Sequence, residues 1–358
     1  MTILHIAHVD ESRLAGVNVA VPAIVQSQER EACVGFLNLT NVAVPEAATQ
    51  LTYTKGMRLG SLPEPFCKPD LIVFHEVYRP AFLPLSRQAR AMGIPYVIVP
   101  HGGLTDGAQK VKAYKKIPAN FLLFGRFVRG AAAIQCLSQR ELEQTRFRVP
   151  KFIGTNGTGT GPVKAVFSQE GVRFSYIGRL DLYIKGLDLL MQALHREKDF
   201  LMTHHCHVDL YGPDVGNTAA ELEKCRRNGL EELLTIHGPV SGEEKASVLS
   251  GTDCYIQTSR SEGMSMGILE AMGRGIPCLV TEGTGMAGLV RERRAGWGCD
   301  TDENAIGAAL HQVVLERDSI PERAANARAL VEERFTWERV AAVAIGHYNR
   351  IISRSKSK

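Results

Sequence analysis

"CYIQTSRSEGMSMGILEAMGRGIPCLVT", residues 254–281, decides how the rest of the chain is read. "CYIQTS" and "IPCLVT" are short apolar runs of buried-strand type, and "GILEAMGRG" between them has the composition of a helix closed by glycine. Strand, helix and strand in so short a span predict a βαβ unit with parallel strands. The stretch also holds two acids, Glu262 and Glu270, with seven residues between them. On one continuous helix they would stand about 12 Å apart along the axis. Two carboxylates so placed cannot act on one carbon, but they can hold opposite ends of a long ligand. Their spacing is equally compatible with two solvated helix acids.

The same alternation extends in both directions. "ILHIAHV", "PDLIVFHE", "IPYVIVPHGG" and "AAAIQCLS" read as strands in the first half, with "GVNVAVPAIVQSQE" and "FLPLSRQARAMG" among the helices between them. Pro22 blurs the start of the first of these helices, and Ser138 is placed to cap "QRELEQTRF". "IGTNGTGTGPV", residues 153–163, is too rich in glycine for a regular element and reads as a linker. Alternation then resumes with "VRFSYIG", "KGLDLLMQALH", "HVDLYG" and "LLTIHG". The expectation is an α/β chain of two doubly wound, Rossmann-like domains facing across a cleft, residues 1–160 and 161–336. A last helix, about 337–352, should pack back on the first domain. In such sheets ligands lie beyond the carboxyl ends of the strands.

Composition narrows the function. The chain has 358 residues, 44% of them hydrophobic and 22% charged, as in ordinary globular proteins. A net charge of +4 suits the handling of anions and is too small to argue for nucleic acid. Eight scattered cysteines form no C-x-x-C pair and suit a reducing compartment. The N-terminal residues lack the pattern of a secretory leader, and no run of about 18 apolar residues spans a membrane. A cytoplasmic location is expected, with a peripheral contact at the inner membrane face left open. No G-x-G-x-x-G follows the first strand, which counts against a dinucleotide oxidoreductase.

"YIGRLDLYIKGLDLL", residues 176–190, adds two cations. Arg179 and Lys185 flank a turn between a strand end and a helix start, where they can neutralise a diphosphate without a metal. Gly263 lets the backbone approach a ligand, and amides near Ser265 and Met266 can face a phosphate. Three smaller motifs carry less. In "CDTDEN" Asp302 reads as a helix cap rather than a metal ligand. In "HHCH" alternation would set His205 and His207 on one strand face, with no further ligands to complete a metal site. "KVKAYKKI", residues 110–117, reads as a solvated basic helix face, or as a contact for an anionic surface or lipid-linked acceptor.

Together, "GRLDLYIKGLDLL", "YGPD", the span from "HGPV" to "IPCLV" and "FTWERVA" resemble glycosyltransferase family 4, retaining enzymes of the GT-B fold. The match is nearly continuous from Phe174 to Tyr348 and thinner in the first half. The resemblance implies that Arg179 and Lys185 bind a donor diphosphate and Glu270 the ribose. Glu262, with the amides of Gly263, Met264, Ser265 and Met266, would meet the donor sugar and its phosphate. His101 in "PHGG" would lie by the reacting sugar, Gly16 by the donor phosphate and Val240 by the nucleotide base. The implied reaction moves a sugar from a nucleotide-diphosphate sugar to an acceptor hydroxyl, with retention and without a metal or other cofactor. Bacterial polysaccharide or glycoconjugate assembly would be its setting, with a saccharide or lipid-linked saccharide as acceptor. No carboxylate nucleophile stands out, so the resemblance implies front-face attack, the leaving phosphate taking the acceptor proton. The chain departs from the family pattern at Ala15 before Gly16, at Thr155 before Asn156-Gly157 and at Ser265, where glycine is usual. An epimerase or hydrolase of the same fold, or a binder without turnover, remain as alternatives.

Overall fold

The computed structural model describes residues 1–12, 16–110 and 113–357, without the side chains of Lys115 and Phe121. The chain forms two compact units, one of residues 1–157 with 337–358 and one of residues 158–336.

The first unit is built on seven parallel strands: β1 (Thr2–Ala7), β2 (Cys33–Asn38), β3 (Gln50–Thr52), β4 (Leu71–His75), β5 (Tyr96–Val99), β6 (Ala133–Cys136) and β7 (Lys151–Ile153). Their order is β3-β2-β1-β4-β5-β6-β7. Strand β4, "LIVFH", is buried at every residue, as a central parallel strand covered on both faces must be. Phe74 anchors the core, its ring 5.1–5.5 Å from those of Phe82, Phe127 and Tyr96. The helix Gly16–Gln28 runs through Pro22. The last helix, Trp337–Lys356, buries Val340, Ala341, Ala344, Ile345, Tyr348 and Ile352 along one face, the spacing of an amphipathic helix. That face lies on the helix Gly16–Gln28 and on the sheet: Ile24 packs with Val340 and Ala341, and Tyr348 Oη donates to Gln135 Oε1 at 2.7 Å.

The second unit has six parallel strands: β8 (Arg173–Ile177), β9 (His207–Tyr211), β10 (Leu234–His237), β11 (Cys254–Gln257), β12 (Cys278–Thr281) and β13 (Gly296–Cys299). Their order is β10-β9-β8-β11-β12-β13. Each sheet therefore reverses its direction of winding once, between β1 and β4 in the first unit and between β8 and β11 in the second. A crevice at the carboxyl ends of such a pair is where open α/β sheets bind ligands.

Ser138 and Asp302 cap helices, accepting from Glu141 N and from Asn304 N and Ala305 N. His205 and His207 do not share a strand face: His205 sits in a left-handed turn at φ +53°, and β9 starts only at His207. Between β5 and β6 the chain forms short helices, Asp106–Lys110, Ala113–Ala119 and Gly125–Arg129, with a π-turn at Asn120–Phe124. Of the basic segment 110–117, Val111 and Lys112 lie outside the described residues. Lys116 turns inward, donating to Ala108 O and lying over the Tyr78 ring, so it is not part of a solvated face.

Candidate active site

The loop after β8 is shaped by its own sequence. Asp181 Oδ1 accepts from Ile184 N at 2.8 Å, and Lys185 N donates to Asp181 O, closing an Asx-type turn. Gly186 follows at φ +64°, and a Cβ there would stand 2.0 Å from Thr258 O. Only glycine permits both the conformation and the contact. The loop after β11 reaches over it. Arg260 N donates to Ile184 O, and its guanidinium makes two bonds, 2.6 and 2.7 Å, to the Asp188 carboxylate. The same guanidinium covers the Tyr183 ring at 4.6 Å. Residues 183–186 are thus held on both sides.

This clamp brings Lys185 to Glu262. Their side chains form an ion pair, both largely shielded from water. Glu262 Oε1 also accepts from Ser259 Oγ at 2.9 Å and Gln257 Nε2 at 3.1 Å. Gln257 ends β11 fully buried, and its Oε1 accepts from Ser265 Oγ at 2.7 Å. Ser265 stands at φ −77°, an extended conformation open to any residue, and caps the helix Met266–Met272 through Ile268 N. The serine therefore carries no backbone penalty there and supplies two hydrogen bonds that glycine could not. Gly263 and Met264 are buried in the same turn, and Met266 opens the helix.

Arg179 follows β8 and is exposed, with no side-chain ion pair among the described residues. Glu270, one turn along the helix, forms an ion pair with Lys245 of the helix Gly242–Gly251. Val240 lies buried just before that helix. Lys185 and Glu262 meet across the β8/β11 reversal, whereas Glu270 has a separate cation. The two acids are not one pair, and neither is a solvated helix acid.

The first unit places polar groups at its own reversal. His101 follows β5 at φ +50°, and Gly102 at φ +80°. Two consecutive left-handed residues need outside support. Glu141 supplies it: its carboxylate accepts from Gly102 N and from Leu137 N, each at 2.6 Å. Burial pushes the Glu141 carboxyl up to about 7 against the pull of those two amides. His101 Nε2 lies 3.1 Å from His75 Nδ1, and His75 Nε2 lies 2.9 Å from His5 Nδ1. Burial lowers His5 and His101 to about 4 and His75 well below its usual value, so all three rings are neutral at pH 7. Gly16 is the exposed first residue of its helix; Ala15 before it lies outside the described residues. Among the described residues no cluster of three or more histidine, cysteine or acidic side chains is placed to hold a metal.

Sequence reasoning did not reach Lys245, Gln257, Arg260, Glu141, His5 or His75. Lys245 and Arg260 act through partners in distant segments, which no local pattern announces. His5 and His75 were visible only as single polar residues inside apolar strands. That is an anomaly in a buried parallel strand, and it was the available signal.

Residues 171–316 match the family described as glycosyl transferases group 1. A phosphatidyl-myo-inositol mannosyltransferase of Mycobacterium leprae is 23% identical over 62% of this chain and 59% of its own length. A GDP-mannose:cellobiosyl-diphosphopolyprenol alpha-mannosyltransferase of Komagataeibacter xylinus is 26% identical over 68% of this chain and 58% of its own length. The chain thus spans under two thirds of these relatives. Among solved structures, HepE of Anabaena in complex with UDP and glucose superposes with a TM-score of 0.73 at 17% identity, over 98% of this chain and 100% of that one. Sucrose-phosphate synthase of Thermosynechococcus elongatus gives 0.74 at 16% identity, over 99% and 100%. The fold is GT-B, made of two parallel-sheet, Rossmann-like domains. Residues 171–316 thus resemble the group 1 glycosyl transferases.

Proposed function

We propose that the protein transfers a sugar, with retention and without a metal, from a nucleotide-diphosphate sugar to an acceptor hydroxyl in glycoconjugate assembly. The observation that carries this reading is the Lys185–Glu262 pair at the β8/β11 reversal, in the segment that matches the glycosyl transferases. On this reading a donor diphosphate draws Lys185 from Glu262 and gains Arg179 as a second cation. Charge growing on the leaving diphosphate is then met by two cations, the kind of electrostatic stabilisation that lowers a transfer barrier most. Glu262, released from the lysine but still held by Ser259 and Gln257, is free to accept from sugar hydroxyls. Glu270 would take the ribose in exchange for Lys245, and Val240 the base. Gly263, Met264, Ser265 and Met266 would line the sugar phosphate. His101 is assigned to the sugar and Gly16 to the donor phosphate.

Incubation with UDP-, GDP- and ADP-sugars over an acceptor panel, in excess chelator, tests the proposal. Retention predicts a product with the donor's anomeric configuration by NMR, undiminished by chelation. Inversion, or activity only with added divalent metal, would overturn it. A saccharide or lipid-linked saccharide is the proposed acceptor. Tyr114, Ile117 and Leu122 stand 67–72% exposed on the segment between β5 and β6, beside the exposed Lys110. This apolar and basic edge supports a peripheral membrane contact. Co-sedimentation with anionic but not zwitterionic vesicles, lost on Ile117→Ser with Leu122→Ser, is the expected result. No helix among the described residues is long and apolar enough to cross a membrane.

A further inference from the structure

The histidines of the first unit form a line. Gln28 Oε1 lies 3.0 Å from His5 Nε2, His5 Nδ1 lies 2.9 Å from His75 Nε2, and His75 Nδ1 lies 3.1 Å from His101 Nε2. Gln28, His5 and His75 are all buried, and the line joins the helix Gly16–Gln28, β1, β4 and the loop after β5. Among the described residues, His101 Nδ1 makes no hydrogen bond.

A neutral imidazole has one N–H and one lone pair. Gln28 Oε1 can only accept, so His5 Nε2 carries the proton and His5 Nδ1 is bare. His75 Nε2 must then donate to it, leaving His75 Nδ1 bare, and His101 Nε2 must donate in turn. Each ring dictates the next. With these tautomers held, a second proton on His5 or His75 would set two donors face to face at about 3 Å in a dry interior. An amide cannot relay a proton, so the line ends at Gln28 and cannot carry protons onward.

We propose that Gln28, His5 and His75 are positioning residues that lock His101 as its Nε2–H tautomer. Nδ1 is then committed to accepting a hydrogen bond. A group of that polarity suits a hydroxyl of the donor sugar and is useless to a phosphate oxygen, which itself only accepts. The inference rests on the assignment of His101 to the sugar for its ligand, but not for its tautomer.

The experiment has two readouts on the full chain. In histidine-15N-labelled protein at pH 7, long-range 1H–15N spectra should show His5, His75 and His101 neutral and protonated at Nε2. Gln28→Leu, two rings away from His101, removes the terminal acceptor and should turn His101 into a tautomer mixture. Gln28→Glu keeps an acceptor and should preserve the wild-type pattern. His75→Phe should also release His101; if that variant does not fold, the Gln28 pair carries the test. A wild-type His101 protonated at Nδ1, or a His101 tautomer unmoved by Gln28→Leu, overturns the lock. In the second readout Gln28→Leu should weaken a sugar nucleotide about tenfold, the scale of one hydrogen bond, with the bare nucleoside diphosphate unaffected. If the tautomers behave as stated but both ligands bind equally, the lock stands and the assignment of His101 to the sugar fails.

Discussion

The two sheets place very different groups at their reversals. The second unit sets opposite charges against each other, Lys185 on Glu262 and Lys245 on Glu270. The first unit sets neutral rings in series and keeps Glu141 buried on two backbone amides. Charged pairs can be exchanged for a charged ligand at modest cost, because the ligand replaces what it displaces. A neutral line offers a ligand no charge to exchange, only a direction of donors and acceptors. One corner is built to swap partners and the other to keep a fixed polarity.

The largest expected effect breaks the swapping corner. Lys185→Ala should lower turnover by about 10²–10³-fold, the cost of losing one preorganised charge on the developing anion. Arg179→Ala should cost less, since that side chain is exposed. Near-wild-type turnover in both, by initial rates with the identified donor, would remove the catalytic reading of this corner.

Next in size is Gly186→Ala, where a left-handed backbone and the 2.0 Å approach to Thr258 O both oppose a Cβ. A loss of about 2–4 kcal/mol of stability is expected. Trp297 lies in the second unit and Trp337 in the first, and they are the only tryptophans in the chain. Tryptophan fluorescence in Trp337→Phe and Trp297→Phe backgrounds should show the loss in the second unit alone.

Acid should separate the corners in the other direction. The folded pKa values of His5 and His101, about 4, lie below the unfolded value near 6.5. Their contribution to stability is present above pH 6.5 and is lost as pH falls toward 4. His75, lowered well below its usual value, adds in the same sense. Glu141, raised to about 7, acts oppositely: the first unit gains as pH drops from 7 to about 4.5. With His347, also lowered by burial, four groups against one predict a net fall in the melting point of the first unit between pH 6.5 and 5, read by Trp337. His5→Phe should flatten that slope.

The smallest effect sharpens the role of Ser265. Ser265→Ala loses a helix cap worth about 1 kcal/mol and the bond to Gln257. Melting should drop slightly and donor affinity by no more than about tenfold, the scale of a hydrogen bond acting at one remove.

The strands and the βαβ order were legible because buried parallel strands are written as continuous apolar runs. So were the caps at Ser138 and Asp302, which are local signals. The pairing inside the site was not. Glu262 and Glu270 stand close in sequence yet answer to lysines 77 and 25 residues before them, and only the sheet order brings those lysines near. Ser265 stands where the family pattern usually has glycine, a residue suited to backbone conformations that others avoid. Its φ shows instead a side chain put to use. The link of His101 to His5 and His75 was not legible either, because it lies in register across β1, β4 and the loop after β5.

The helix Trp337–Lys356 completes the first unit from the far end of the chain. A ribosome therefore finishes every residue of the second unit before it makes the piece that covers Ile24 and meets Gln135. Until then Ile24 on the helix Gly16–Gln28 lacks its cover, so the second unit has the opportunity to fold first although its sequence comes later. Premature termination near residue 336 would damage the half of the protein that was already made.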